Sequence, residues 1–383
     1  MISSNIVNWP HIDATTNGPN LAPQKDHTLA APLDARRTAA IDSCIGKCSD
    51  KARKRLQELF VPIPTGTLEA LGKHGLKINI TQGKGPGIPG LGGGGGAVAV
   101  GAYNLVTRKI QMDESVLMAD MGAHVILHES MHALDHMRGN RATLLGKIPG
   151  STLPRLLMGS SPAESAHDKE FFGLYNAFNA RANVEDIDVM RREVQLENDM
   201  KLPDKAKYVS DDAWGRRYVE YERKDGKEIF KINDNPQKEG KRIAGLAIGG
   251  ALLAGGMIFG GPVMATCGGI FLGLNAVGFL RNKLHNISKP KLETEIDMVK
   301  GIKAHIVQQE GKATVTVPDG ARSFTGDVWS DYAHRAGKIE EYAAEAYSTF
   351  LEGGDKAQLM KDADPNLYAF VEKRLQEEFN MHP

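Results

Sequence analysis

The sequence predicts an α+β chain: a small sheet leading into a long buried helix, helices at the C-terminal end, and a large, mostly helical stretch between them. Three observations carry this expectation. Short apolar-alternating segments, LKINIT (76–81), AVAVGAYN (97–104) and RKIQM (108–112), read as strands. They are followed by a helical pattern rich in apolar residues over about 116–138, and Leu367, Phe370, Val371 and Leu375 share one face of a later helix, about 366–380. Between these parts lies a run without charge, 243–280.

Taken in order, residues 1–33 are polar and predict a disordered leader. Residues 34–60 have helical periodicity up to a proline-containing turn, and a short helix around 66–73 precedes the first strand. The helix of 116–138 is expected to stop at Gly139. Two further helices are expected at 167–182 and 184–200. YVEYERK, Asp225-Gly226 and KEIFKI form a hairpin signal, because Asp-Gly suits the two positive-φ positions of a type I′ turn. Helices are then expected at 291–309, 336–352 and 366–380, with a strand and turn at 313–320. There are no internal repeats. The chain thus reads as a polar leader (1–33) followed by three stretches, 34–182, 183–324 and 325–383.

Composition narrows the function classes. In 383 residues, 47 Lys+Arg balance 47 Asp+Glu, so no basic field attracts nucleic acid. Three cysteines (Cys44, Cys48, Cys267) cannot build a disulfide framework. The N-terminus has neither the charged nor the apolar region of a Sec signal. Glycine is in excess, and 20 of the 42 fall in 83–96 and 243–280.

The chemical signal is His128-Glu129-Ser130-Met131-His132. Imidazoles at i and i+4 share a helix face, about 6 Å apart along the axis, and both can reach one zinc ion. Glu129 can then take a proton from a zinc-bound water. His124 and His136 extend the row, but a straight helix cannot bring His136, about 12 Å along the axis from His128, to the same ion. They read as polar neighbours. Asp135 is a candidate to hold a ligand imidazole from outside the coordination sphere. A third ligand must come from elsewhere, and IEEYAAEAY (339–347) offers Glu341 and Glu345 on one helix face, with small residues that allow close packing. Spacing alone does not choose between a ligand helix and an ordinary amphipathic one.

GAYNLVTRKIQMDE, VILHESMHALDHM, HDKEFFGLYNAFNA, EEYAAEAYSTFLEGG and DPNLYAFVEKRLQ occur in the order seen in anthrax-lethal-factor-like zinc metallopeptidases, a group that includes the Pro-Pro endopeptidases. The glycine-rich stretch before HExxH also resembles type III-secreted effector metallopeptidases. The resemblance covers roughly 66–182 and 325–380. It implies a zincin-like core with one Zn2+ per chain held by His128, His132 and Glu341, and Glu345 supporting the site. It implies a tyrosine near the oxyanion, for which Tyr332 is the nearest match and His334 a competitor. The departure is the 209 positions between His132 and Glu341, so the resemblance implies a peptidase domain in two parts, 34–182 and 325–383, around a large, mostly helical insertion, 183–324.

The two glycine tracts differ in kind. GKGPGIPGLGGGGG (83–96) lacks the Lys-Ser/Thr and helix start of a phosphate loop, and reads either as a mobile lip beside a peptide-binding strand or as a plain linker. The uncharged tract 243–280 exceeds the roughly 20 residues of one membrane span. Gly260-Gly261-Pro262 halves it, and small-xxx-small pairs such as Gly245/Gly249 suit a close hairpin. Lys241, Arg242, Arg281 and Lys283 flank it, keeping both ends on one side of a membrane. The expectation is a zinc metalloendopeptidase acting on a protein or peptide substrate. It would be a bacterial effector or toxin delivered without Sec export to host cytosol or membrane, with 243–280 as the membrane contact. The rival expectation is a membrane-anchoring or membrane-perturbing protein acting through that tract.

Overall fold

Local signals near the N-terminus turn into short elements. The computed structural model describes residues 35–82, 101–142, 161–212, 215–234, 291–309, 312–323, 328–335 and 338–381. The leader expected over 1–33, the glycine tract 83–96 and the apolar tract 243–280 lie outside the described residues. Among the described residues no helix is long and apolar enough to cross a membrane. The fold is mixed α+β with small sheets and divides into two compact units, 1–138 with 343–383, and 139–342. Both divisions fall inside a helix.

In the first unit, Ala35–Cys44 (α1), Asp50–Leu59 (α2) and Thr65–His74 (α3) precede a three-stranded sheet. The single helix expected over 34–60 is thus two, because the chain between them is used for sheet contact: Ile45 bridges Ile78. The Ser49 side chain caps α2 by accepting the Ala52 amide. Lys77–Thr81 (β1) pairs in parallel with Lys109–Asp113 (β3), and Gly101–Asn104 (β2) pairs antiparallel with β3, giving the order β1-β3-β2. Alternation sets the faces, with Ile78, Ile110 and Met112 fully buried. Asp113 caps the short helix Glu114–Met118 (α4) through the Ser115 amide. Gly122–Ala142 (α5) follows and carries the HExxH residues.

Helix α5 does not stop at Gly139, as glycine in a helical pattern suggested, but runs on to Ala142. Gly139 answers a different need. A β-carbon there would lie 2.1 Å from the Pro162 carbonyl oxygen, so the position admits only hydrogen.

The second unit holds Lys169–Glu185 (α6) and Ile187–Glu197 (α7), and then a six-stranded sheet. Its strands are Lys205–Asp212 (β4), Gly215–Lys224 (β5), Lys227–Asp234 (β6), Leu292–Asp297 (β7), Lys303–Gln309 (β8) and Lys312–Pro318 (β9). All are antiparallel, in the order β4-β5-β6-β9-β8-β7. The expected Asp225-Gly226 turn joins β5 to β6, with φ of 54° and 70°. The expected helix over 291–309 is instead the β7–β8 hairpin, and the described part of 183–324 is largely sheet rather than mostly helical. Leu, Glu, Ala, Lys and Gln in these segments favour a helix locally. However, Ala304 and Ile306 alternate with exposed Lys303 and His305, and pairing to β9 overrides propensity.

One face of this sheet is the core of the unit: Tyr208, Val219, Tyr221, Phe230, Ile232, Ala304, Ile306, Val315 and Val317 pack with Ala180, Val184, Ile187, Met190 and Val194 from α6 and α7. An ion pair is buried in it. Arg191 of α7 donates Nε to both Glu228 oxygens at 3.2 and 3.0 Å, and Nη2 to the Ala321 carbonyl at 2.8 Å. Asp331–Arg335 (α8) and Ile339–Glu352 (α9) complete the chain's approach to the second division. Gly354–Ala363 (α10) and Pro365–Met381 (α11) end it, with Leu367, Phe370, Val371 and Leu375 buried as the periodicity predicts.

Candidate metal centre

A row of histidines four residues apart lies along α5. His124, His128, His132 and His136 are all buried, none more than 4% exposed, and Glu129 is fully buried beside them. Burial of so many polar groups on one helix is costly unless each meets a partner.

Strand β2 supplies the partners on one side. A β-carbon at Gly101 would come within 2.8 Å of Val125 Cγ1 and 3.6 Å of Glu129 Cγ, so glycine lets the strand lie close along α5. Two residues on, the Tyr103 amide donates to Glu129 Oε2 at 2.6 Å. A backbone donor of a paired strand thereby orients the carboxylate. The Tyr103 hydroxyl lies 2.9 Å from His136 Nδ1, and burial pushes this phenol well above its ordinary pKa, so it stays protonated. This contact gives His136 a place in the wall of the site.

Helix α9 supplies the rest. Glu341, Glu345 and Glu352 recur at four and seven residues and therefore share one face. Glu345 Oε2 lies 3.0 Å from His124 Nε2 and 3.2 Å from His128 Nδ1, and Glu352 Oε2 lies 2.9 Å from His124 Nδ1. Burial alone would raise the Glu345 carboxyl. The bonds to the two imidazoles more than offset this and hold it well below the usual carboxylate range. For His124, burial disfavours the charged ring, but Glu345 and Glu352 outweigh it and raise its pKa. An ionised Glu345 accepts only, so Nδ1 of His128 donates and Nε2 is the nitrogen that can bind a metal.

Glu341 lies one turn before Glu345 on the same helix. His128, His132 and Glu341 each bring a ligand atom within 4.8 Å of the other two, and all three are buried. The His128 and His132 rings meet edge to face at 4.9 Å between centroids. This buried group could hold a metal ion. A second set, His124, His128 and Glu345, meets the same distance criterion.

The remaining candidates fall in different places. The Tyr332 hydroxyl donates to Glu341 Oε2 at 2.7 Å, so it sits on the carboxylate of the group. His334, two residues on, points elsewhere: Nε2 lies 3.1 Å from Asp186 Oδ2 and 2.9 Å from Arg217 Nη2. Asp135 is buried on α5, 4% exposed. The carboxylate on His128 Nδ1 is Glu345. Sequence reasoning passed over His124 as a mere neighbour and missed Glu352. Its signal was available, since residues seven apart on a helix, Glu345 and Glu352, share a face. The backbone donor of Tyr103 carries no signal in side-chain identity.

Comparisons of the chain with protein-family models, curated proteins and solved structures find no match.

Proposed function

We propose that this chain is a zinc-dependent metalloendopeptidase. The observation that carries the reading is the convergence of two imidazoles from HExxH and one carboxylate from α9, with Glu129 next to His128 in the chain. The donor set fits zinc: two nitrogens and one carboxylate oxygen are the ligands of a catalytic site that keeps a position for water. His128, His132 and Glu341 would hold the ion. An ion held there would supply Lewis-acid chemistry, lowering the pKa of a water and polarising the substrate carbonyl.

The chain's own residues do the rest. Glu129, oriented by the Tyr103 amide, takes the proton of the attacking water and passes it to the leaving amine. Glu345 keeps His128 in the tautomer that offers Nε2. Tyr332, whose hydroxyl donates to the Glu341 carboxylate, would turn that one proton to the developing oxyanion as the charge forms. The ordered resemblance of HExxH and EEYAAEAY to lethal-factor-like peptidases supports a protein or peptide substrate. The same resemblance, together with the unremarkable cysteine content, supports an effector or toxin acting in a host cytosol or at a host membrane.

Elemental analysis of purified protein and cleavage of a peptide library with and without chelator test this reading. One zinc per chain and chelator-sensitive cleavage are expected. Glu129→Ala should lower cleavage by a factor of at least about 10²–10⁴ with zinc retained, whereas Glu341→Ala should lose zinc. Undiminished cleavage by Glu129→Ala would defeat the mechanism, and full zinc content in Glu341→Ala would remove Glu341 as a ligand.

The second reading, membrane association through 243–280, rests on one sequence observation: 38 consecutive residues without a charge.

A further inference from the structure

Both ring nitrogens of His124 face carboxylate oxygens, Nε2 that of Glu345 at 3.0 Å and Nδ1 that of Glu352 at 2.9 Å. Carboxylates can only accept, so His124 donates in both directions. The Glu345 oxygen that it reaches is the one that accepts from His128 Nδ1. A continuous row of contacts therefore runs Glu352, His124, Glu345, His128 across two helices. Its three inner members are at most 5% exposed, and Glu352 closes it near the surface, with its side chain 26% exposed.

A buried carboxylate held by one donor can rotate about its terminal torsion, which is broad and weakly restrained. Held by two donors on the same oxygen, it has one orientation. The orientation of Glu345 decides which nitrogen of His128 carries the proton, and hence which one can bind a metal. We propose that His124 and Glu352 are positioning residues for the metal centre: Glu352 orients His124, and His124 fixes the Glu345 carboxylate in the pose that leaves Nε2 of His128 to the metal. The inference rests on the metal reading given under Proposed function. The competing assignment puts a second ion between His124, His128 and Glu345, whose donor atoms also cluster. The hydrogen-bond distances and the Glu352 contact account for all three donors without one.

The test is zinc affinity of the metal-stripped full-length protein, measured by competition with a chromophoric chelator. Near-ultraviolet circular dichroism of each variant checks its fold. Wild type should bind one zinc ion. His124→Ala should bind it about 10–100-fold more weakly. His124→Gln places an amide donor near the position of Nε2 and should recover most of that loss, a rescue that a purely structural role does not predict. Glu352→Gln keeps an acceptor but removes its charge, and should weaken binding about threefold or more while staying within the His124→Ala loss. The proposal is overturned by His124→Ala within about twofold of wild type, or by equal losses in His124→Ala and His124→Gln. Two zinc ions in wild type and one in His124→Ala overturn it as well, since His124 is then a ligand. If His124→Ala does not fold, unchanged affinity in Glu352→Gln overturns it. No zinc in wild type defeats the metal reading itself, an outcome distinct from zinc in wild type with unaltered variants.

Discussion

Three carboxylates, Glu228 and Glu345 buried and Asp186 partly buried, show how one chemical group takes different duties from its surroundings. Glu228, fully buried, is matched by a guanidinium, as a core ion pair must be. Glu345 is matched by two imidazoles that belong to the candidate centre. Asp186 lies between them in character: burial would raise its pKa, but His334 and Arg217 bring it from 3.8 down to about 2. A carboxylate whose folded pKa is depressed stabilises the fold above its unfolded pKa, and that stability fades as pH falls through the folded value. Asp186 should therefore contribute up to about 2 kcal/mol near neutrality, lost between about pH 4 and pH 2. Urea unfolding of Asp186→Asn against wild type checks this. The expected gap is present at pH 6 and shrinks at pH 2.5, and an equal gap at both pH values would count against the assignment.

At the scale of elements, what could be read in advance was what neighbouring residues decide. The Asp225-Gly226 turn, the alternation of β1 and β3 and the apolar face of α11 are local patterns, and the structure has them. The i, i+4 pairing of His128 with His132, and of Glu341 with Glu345, was likewise legible as spacing. What brings the two helices together was not. His124 and Glu352 are separated by 228 positions, and no local pattern reports a bond of that span. The β7–β8 hairpin was misread for the same reason, since its strand character depends on β9. Gly139 was misread because its cause, the Pro162 carbonyl, lies outside its own helix. That cause is testable. Gly139→Val should destabilise the protein by about 1–3 kcal/mol, as forced overpacking does, with the loss visible as a lowered urea midpoint. Gly173, a helical glycine with nothing near its β-carbon position, is the control, and Gly173→Ala should be neutral or gain up to about 1 kcal/mol. If the two substitutions behave alike, Gly139 is not governed by the close approach.

For the molecule as a whole, 47 basic and 47 acidic residues cancel, so no overall basic field draws the chain to a bilayer, and the membrane reading rests on apolar surface. The topology of the six-stranded sheet makes that separable from the fold. Asn233 is in register with Lys312, Lys312 with Gln309, and Gln308 with Leu292. The chain therefore leaves β6 and enters β7 at the same end of the sheet, three strand spacings apart, about 14 Å. A flexible Gly/Ser linker of about eight residues can span that gap, since an extended chain reaches roughly 3.3 Å per residue. Replacing 235–290 by such a linker should leave cooperative unfolding, zinc content and peptide cleavage near wild-type levels. Flotation with phosphatidylcholine vesicles at high salt, where electrostatic attraction is screened, should be seen for the full chain and lost in the replacement. Equal flotation of both proteins would place the membrane contact elsewhere, and absence of flotation in both would remove the membrane reading. Loss of zinc in the replacement would instead show that 235–290 supports the centre, joining what the sheet topology treats as separate.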